Sequence, residues 1–228
     1  IKAMPTRAKS LVIGISGGID SSVSSTLSAM TGLKTIVLSM PIKQKNIQHD
    51  LSLKHQEWLI KKFNNVEAHT VNLDRLFETF ENSLSKFDSN LGMANSRARL
   101  RMTTLYQVAA ANQGIVVGTG NKVEDFGVGF YTKYGDGGVD ISPIADCNKT
   151  EIWDMGRELN ILKEIIDATP TDGLWDDGRT DEGQLGLKYK ELEEAMNNTN
   201  SKNREKYEKI RKMNLHKMEP IPVCKIPN

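Results

Sequence analysis

The chain has 228 residues, a formal net charge of +1 and two cysteines, and its length suits one α/β domain, so we expect residues 1–228 to form a single domain. The near-neutral charge argues against a nucleic-acid partner, because binding to phosphate backbones requires a basic surface. Cys147 and Cys224 form no C-x-x-C pair, so we expect no disulfide framework. No run of about eighteen apolar residues occurs, so we expect no membrane partner. No signal peptide opens the chain, and we therefore expect a cytoplasmic protein.

Strand-like and helix-like segments alternate through the first half of the chain. The predicted strands are residues 11–16, 35–40, 68–73 and 115–118, and the predicted helices are residues 22–30, 48–63, 76–84 and 94–112. This alternation predicts an α/β fold, a Rossmann-like doubly wound parallel sheet with helices on both faces. Ligands bind beyond the carboxyl ends of the strands in such folds, so motifs that follow the strands should converge there.

A glycine-rich turn joins the first predicted strand to the first predicted helix. It reads Ser16-Gly17-Gly18-Ile19-Asp20-Ser21. The glycines allow backbone N–H groups to approach a ligand, and the helix that follows adds its unpaired donors and the positive end of its dipole. The turn is therefore predicted to bind phosphate. It is not a Walker loop, because no Gly-Lys-Ser/Thr follows, and the chain contains no G-x-G-x-x-G fingerprint.

Several polar residues near this turn allow more than one interpretation. Asp20 can cap the helix or bind Mg²⁺ on phosphate oxygens. Glu124 follows the fourth predicted strand and is either a second Mg²⁺ ligand or a solvated glutamate. Lys149, at the start of a helix that opens at Asn148, can neutralise phosphate charge or be solvated. Thr171 can contact ATP or belong to a turn.

The second half of the chain is richer in glycine. We interpret residues 118–140 as a long functional loop system and residues 169–180 as a second irregular stretch, followed by surface helices at residues 187–196 and 202–213. Three arginines lie in one predicted helix. Arg97 and Arg101 are one turn apart and are expected to be solvated or paired with carboxylates, whereas Arg99 projects to a different side.

Taken together, these segments resemble the ammonia-dependent NAD synthetase family of the ATP pyrophosphatase superfamily. The resemblance runs from residue 11 to residue 217 and rests on the Ser-Gly-Gly-x-Asp-Ser turn, residues 95–102, Gly118-Thr119, the Phe-Tyr-Thr-Lys-Tyr-Gly-Asp-Gly-Gly element at 130–138, Pro170-Thr171 and His216-Lys217. The first motif is shared with many adenylating enzymes, whereas the Thr-Lys-Tyr-Gly-Asp-Gly element is close to diagnostic.

The resemblance implies an enzyme, a ligase that forms a C–N bond. The family uses ATP and Mg²⁺ to adenylate deamido-NAD⁺ (nicotinic acid adenine dinucleotide) with release of pyrophosphate, and ammonia then displaces AMP to give NAD⁺. The substrates implied are deamido-NAD⁺, ATP and ammonia, and the family's tight dimers imply a homodimer.

The resemblance also implies roles for individual residues. Implied ATP contacts are Gly14, Ile15, Ser16, Gly17, Gly18, Ile19, Asp20, Ser21, Thr119, Lys149 and Thr171. Implied Mg²⁺ ligands are Asp20 and Glu124. Implied deamido-NAD⁺ contacts are Arg99, Lys133, Asp140, His216 and Lys217. Implied catalytic residues are Asp20, Lys149 and Asp136, where Asp136 either orders its loop or touches the reacting carboxylate. The chain carries Gly120-Asn121 where many family members have Asp-His.

Two other interpretations remain open at the level of sequence. The first is another adenylating, amide-forming or thiolating member of the superfamily, although thiolation normally needs a cysteine pair and nitrile synthesis a zinc cluster, and both are missing. The second is a nucleotide-binding regulator that holds ATP without turnover.

Overall fold

Four parallel strands form the central sheet of the protein. The computed structural model describes residues 8–43, 46–171, 173–174 and 179–226. The strands are β1 (Ser10–Gly14), β2 (Lys34–Ser39), β3 (Val66–Thr70) and β4 (Gly114–Val116), in the order β3-β2-β1-β4. Val117 and Ile141 extend the β4 edge by a single parallel bridge.

Helices follow the strands and cover the sheet. Within the described residues they are α1 (Ile19–Met30), α2 (Asn46–Lys62), α3 (Asp74–Ser83), α4 (Asn90–Ala111), α5 (Lys149–Glu158), α6 (Lys163–Ile166), α7 (Asp181–Leu185), α8 (Tyr189–Asn197) and α9 (Arg204–Met218). A 3₁₀ turn at Ser85–Phe87 and a π-helix at Lys122–Val128 complete the regular elements. In this described part of the chain, none of the helices has the length and apolar character that crossing a bilayer requires.

Apolar side chains on both faces of the sheet explain why these strands are buried. Val12 and Ile36 pack on one face against α3 and α4, together with residues such as Phe77. Ile13 and Val37 point to the other face and pack with residues of α1 and α2. Strands covered on both sides read as continuous apolar runs, which β1 and β2 do. The predicted doubly wound α/β fold is confirmed.

The strand order reverses at β1, which has β2 on one side and β4 on the other. Connections from these strands therefore leave in opposite directions and open a crevice beyond the carboxyl ends of β1 and β4. The turn after β1 and the segment after β4 both lie at this crevice.

The predicted elements occur in the expected order, with differences at their ends. The third strand ends at Thr70, not at residue 73. The segment after residue 118 is less irregular than expected, because a π-helix occupies Lys122–Val128. Asn121 begins this helix, since its side-chain oxygen accepts hydrogen bonds from the backbone N–H groups of Val123 and Glu124. Val123 and Val128 are buried and anchor the helix to the core around α8 and α9.

Candidate active site

The turn after β1 is held by its own serines. The backbone N–H of Ser16 donates to Ser21 Oγ at 3.2 Å, and Ser21 Oγ donates to the carbonyl of Gly18 at 3.0 Å. Gly17 has φ of +89°, a conformation that L side chains rarely adopt. The chain can therefore turn sharply and begin α1 with its unpaired N–H groups beside the crevice.

A cavity of about 290 Å³ lies at the crevice and brings together all of the residues implied for ATP and Mg²⁺. The whole turn lines it, namely Gly14, Ile15, Ser16, Gly17, Gly18, Ile19, Asp20 and Ser21, as do Thr119, Glu124, Asp136, Lys149 and Thr171. These residues come from the end of β1 and the turn after it, from α1 and α5, and from the segments that follow β4 and α6. Their convergence is a consequence of the parallel topology.

A buried ion triad is the electrostatic centre of the cavity. The Lys149 ammonium lies 2.6 Å from Asp20 Oδ2 and 2.9 Å from Glu124 Oε1, and the lysine side chain is 2% exposed. Burial works against the charged lysine, but the two carboxylates outweigh it and raise the pKa of Lys149. The ammonium is thus fixed in its charged form between two acids that would otherwise repel each other.

Two further side chains hold these carboxylates. Asn121 Nδ2 donates to Asp20 Oδ1 at 3.0 Å, so Asn121 both begins the π-helix and orients the aspartate. The Tyr189 hydroxyl donates to Glu124 Oε1 at 2.5 Å and lies 3.3 Å from Asp181 Oδ2. Burial and the nearby Glu124 carboxylate raise the pKa of Tyr189, which keeps the hydroxyl protonated and able to donate.

The cavity wall is rich in acid. Asp20, Glu124, Asp125, Asp136 and Asp181 line it, against the cations of Lys149 and Arg101. Burial, reinforced by the neighbouring carboxylates beginning with Asp136, raises the pKa of Asp125 well above its usual value. A polyanion such as ATP can enter such a site only with cations that offset this charge.

The two implied Mg²⁺ ligands are suited to that ion. Asp20 and Glu124 both pair with the Lys149 ammonium, so their carboxyl groups lie close together in the wall of the cavity. Mg²⁺ is usually bound through one or two carboxylates together with substrate phosphates, not by a closed protein cage. In the described residues no group of three or more acidic, histidine or cysteine side chains forms such a cage. The donor set therefore fits a metal shared with a nucleotide.

The residues implied for deamido-NAD⁺ are not among those that line the cavity. Lys133 Nζ donates to the carbonyl of His216 at 2.9 Å, Lys217 Nζ donates to the carbonyl of Tyr131 at 2.8 Å, and Arg99 Nε donates to the carbonyl of Lys133 at 3.2 Å. These contacts join α4, the 129–138 loop and the end of α9 into one surface.

Asp140 has a different environment. Its Oδ2 accepts from the backbone N–H of Val116 at 2.7 Å, and its Oδ1 accepts from the Tyr106 hydroxyl at 3.0 Å. Both oxygens thus bind the protein itself and fix the chain beside β4.

The two other arginines of α4, which were expected to be solvated or paired with carboxylates, contact backbone carbonyls beside the cavity. Arg97 is buried, and its Nη1 donates to the carbonyl of Leu174 at 2.9 Å. Arg101 lines the cavity, and its Nε donates to the carbonyl of Met40 at 3.0 Å. Burial and the neighbouring Arg97 lower the pKa of Arg101 to about 10. Arg97 is therefore not solvent-exposed, and both arginines hold loops at the rim of the cavity.

Three further residues at the site, Asn121, Asp181 and Tyr189, were not predicted from the sequence. Asn121 followed by Glu124 has the spacing of a helix-capping pair, which could have been recognised. Tyr189 contacts Glu124 across 65 positions of the chain, and nothing near it in sequence indicates this.

A phosphate-type turn at the switch point of a parallel sheet, with paired carboxylates beside it, defines the class of α/β nucleotide-binding enzymes. Comparisons with known proteins define the family. A family model described as NAD synthase matches residues 2–226. The chain belongs to the NAD synthase family.

Curated relatives agree with the family model. The chain is 39% identical over 203 residues to the NH(3)-dependent NAD(+) synthetase of Alkaliphilus oremlandii, covering 83% of this chain and 77% of the relative. It is 37% identical over 198 residues to the protein of that description from Carboxydothermus hydrogenoformans, covering 84% and 78%.

Solved structures show the same fold. An NMN synthetase from Francisella tularensis superposes with a TM-score of 0.88 at 32% identity, covering 96% of this chain and 90% of that one. An NH3-dependent NAD synthetase from Campylobacter jejuni superposes with a TM-score of 0.77 at 23% identity, covering 98% and 93%.

Family membership confirms three predictions made from the sequence. The resemblance to ammonia-dependent NAD synthetases is confirmed, as is the assignment to ligases that form C–N bonds. ATP-dependent amidation of deamido-NAD⁺ is the activity that the family supports, and the thiolating and non-catalytic alternatives are not favoured.

Proposed function

We propose that the cavity at the end of β1 is where this ligase adenylates deamido-NAD⁺ and where ammonia then displaces AMP to give NAD⁺. The observation that carries this proposal is the convergence of the phosphate-type turn with Asp20, Glu124 and Lys149 on one cavity. A carboxylate is a poor electrophile, and attaching AMP supplies a stable leaving group. The protein's contribution is to position the reactants and stabilise charge.

The turn residues Gly14 to Ser21 bind the phosphates of ATP in this proposal. Backbone N–H groups of the first turn of α1 donate to phosphate oxygens, and the helix dipole favours the negative charge. Thr119 and Thr171 line the same cavity and supply hydroxyl groups for the nucleotide. Lys149 offsets negative charge during the transfer. Asp136 lines the cavity, and its Oδ1 accepts a hydrogen bond from the backbone N–H of Thr132 at 3.0 Å, which supports a role in ordering the loop at the reacting carboxylate.

Asp20 and Glu124 would hold Mg²⁺ against the phosphates. When bound, the ion neutralises charge on the triphosphate and polarises the phosphorus that is attacked. The acid-rich wall supports this proposal, because it makes a counter-cation necessary for ATP to bind.

Replacing Asp20 by asparagine tests the metal assignment. Asp20→Asn should still fold, because Glu124 continues to pair with Lys149, and it should lower the rate of AMP release at least about a hundredfold, since one anchoring carboxylate for the metal is lost. Asp146→Asn is the matched control, because Asp146 is 95% exposed and pairs with Lys122 outside the cavity. An Asp20→Asn rate equal to that of the control would remove Asp20 from the metal site.

We assign the dinucleotide to the surface formed by Arg99, Lys133, His216 and Lys217. Their mutual contacts support this assignment, because three cations on adjoining elements suit the diphosphate of a dinucleotide. Asp140 is assigned here as well, by its place on the adjoining segment.

We further propose a homodimer that uses the exposed face of α3 and α4. Leu76 on α3, Phe87 on the 3₁₀ turn between the two helices and Leu91 on α4 are 52%, 76% and 62% exposed, and exposed large apolar side chains favour association. Sedimentation velocity should give twice the mass of the 25.4 kDa chain. Leu91→Lys should shift the protein toward monomer, whereas Leu91→Met should not.

The chain is proposed to act as one NAD synthase domain in the cytoplasm. Trp58 and Trp153 each pack against two of the apolar clusters, which supports a single unit. Cys147 and Cys224 are free thiols, which fits a reducing compartment. Cell fractionation tests the location.

A second candidate substrate is nicotinate mononucleotide, whose amidation would give NMN. The F. tularensis structure with a TM-score of 0.88 is described as an NMN synthetase, which favours considering the mononucleotide. The same adenylation and ammonolysis would occur at the nicotinate carboxylate, without the AMP half of the dinucleotide.

One assay decides between the candidates. The protein is incubated with ATP, Mg²⁺ and ammonia plus either deamido-NAD⁺ or nicotinate mononucleotide, and the products are identified by mass. AMP with NAD⁺ supports the primary proposal, and AMP with NMN but no NAD⁺ supports the second. Tight ATP binding without AMP or pyrophosphate from either substrate would contradict both.

A further inference from the structure

Glu124 receives two hydrogen bonds on the same oxygen. Lys149 Nζ donates to Oε1 at 2.9 Å, and the Tyr189 hydroxyl donates to Oε1 at 2.5 Å. No donor from the described part of the chain reaches Oε2, although Glu124 lines the cavity. The carboxylate is thus fixed through one oxygen and presents the other for a ligand.

Tyr189 is itself held rigidly. It is 2% exposed, and its ring meets Trp153 edge-on at a centroid distance of 5.7 Å. The Lys149 ammonium lies 4.9 Å from the centre of the same ring, so the ring also stabilises the cation of the triad. A rigid phenol is a better positioning group than a long flexible side chain, because little conformational entropy is lost on forming its hydrogen bond.

We propose that Tyr189 is a positioning residue that fixes the orientation of Glu124, so that Glu124 Oε2 is the oxygen offered to Mg²⁺ when ATP binds. This inference rests on the proposed function, because it assumes a metal shared with the nucleotide. Partners that hydrogen-bond a metal-binding side chain fix its geometry, and their loss commonly lowers metal affinity ten- to a hundredfold.

Tyr189→Phe removes the hydroxyl, with its hydrogen bonds to Glu124 and Asp181, and keeps the ring. Tyr207→Phe is the matched control, because Tyr207 is 5% exposed in the same apolar cluster and its hydroxyl donates to the carbonyl of Gly127, away from the triad.

The probe is α,β-methylene ATP, which cannot be cleaved at the proposed bond, and its affinity is measured by calorimetry with and without Mg²⁺. The ratio of the two affinities reports the metal's contribution without any turnover. In Tyr189→Phe this ratio should fall about tenfold or more, with little change in the metal-free affinity. The control should keep the wild-type ratio.

A double-mutant cycle tests whether Tyr189 acts through Glu124. In a Glu124→Gln background, Tyr189→Phe should cause no further loss of the ratio. A wild-type ratio in Tyr189→Phe would overturn the inference. An equal loss of affinity for α,β-methylene ATP with and without Mg²⁺ would also overturn it, as would failure of Tyr189→Phe to fold while the control folds. Either outcome would show that the hydroxyl stabilises the fold and does not position Glu124 for the metal. A wild-type protein with no Mg²⁺ dependence would instead contradict the proposed metal.

Discussion

At the scale of single residues, Lys149 is unusual because its charged group is buried. It is a fully buried cation whose charge is matched by two acids, each less than one-fifth exposed. Burying such groups is costly, and removing one member leaves the others without compensation. Replacing Lys149 should therefore lower the stability of the fold, and unfolding experiments measure this effect without any turnover.

Lys149→Met should lower the free energy of unfolding by about 3–5 kcal/mol, because Asp20 and Glu124 lose the cation between them. Urea unfolding measures this loss. Lys163→Met serves as the control, since Lys163 pairs with Asp167 on an exposed helix surface and its replacement should leave the urea midpoint unchanged. Equal midpoints for the two variants would show that the triad does not stabilise the fold.

His55 predicts a pH dependence of stability. It is fully buried between α1 and α2, where Nε2 contacts Ser25 Oγ at 3.0 Å and the ring stacks on Trp58. Burial lowers the pKa of His55 from 6.5 to about 4. Between these two values the unfolded chain binds a proton that the folded protein excludes, so stability rises with pH and levels off above pH 6.5.

Acidification from pH 7 to pH 4 should therefore remove about 3 kcal/mol through this group. Urea midpoints across this range measure the slope, and His55→Gln should flatten it. His69→Gln should leave the slope intact, because His69 lies on the exposed surface of β3. A slope that persists in His55→Gln would assign the acid sensitivity to other groups.

At the scale of elements, the join between the π-helix and the 129–138 loop depends on one glycine. Gly129 has φ of +67°, and a Cβ there would lie 2.7 Å from Asn214 Cβ on α9. Gly32 also has positive φ, +77°, but a Cβ there would meet no atom within 4 Å. Alanine at Gly32 would therefore cause backbone strain alone, whereas alanine at Gly129 would cause backbone strain and a steric conflict with α9.

Gly32→Ala should destabilise the protein by about 1 kcal/mol through backbone strain alone. Gly129→Ala should lose about 2 kcal/mol or more beyond that, because α9 must also move. Thermal and urea unfolding of both variants measure the difference. Equal losses would mean that α9 accommodates the added methyl group without cost.

The sequence was informative where local chemistry determines structure. The strands β1 and β2 are continuous apolar runs, and the glycines of the Ser-Gly-Gly turn allow a backbone conformation, φ of +89° at Gly17, that other residues rarely adopt. The π-helix was not predicted, since it depends on a single capping side chain, Asn121, and on burial against distant helices. Tyr189 and Arg101 could not be assigned for the same reason, because their partners lie far along the chain.

At the scale of the whole molecule, the cavity is assembled from segments spread between residues 14 and 181. Ligand binding should therefore stabilise several segments together, although they are distant in sequence. The turn at residues 14–21, residues 118–120, Glu124, Asp125 and Thr171 are among the described parts of this wall. Residues 172 and 175–178, which belong to the irregular stretch predicted from the sequence, lie outside the described residues.

Hydrogen exchange should show this concerted response. Binding of α,β-methylene ATP with Mg²⁺ should slow exchange in residues 14–21 and 118–125 together, whereas β3 should not respond. Adding the nicotinate substrate should extend protection to the 129–138 loop, because that loop joins Arg99 to α9. Protection confined to the turn after β1 would show that the cavity does not respond as a unit.

The strand order also limits how copies of this protein can associate. One edge strand of the sheet is β4, which has three residues and is continued by the bridge between Val117 and Ile141. The other edge strand is β3, whose exposed side chains include Glu67 and His69. A short edge strand and an edge strand with charged side chains both make pairing with a strand of another molecule unfavourable. Self-association of this protein should therefore proceed through helical surfaces, and strand-to-strand polymerisation should be disfavoured even at high concentration.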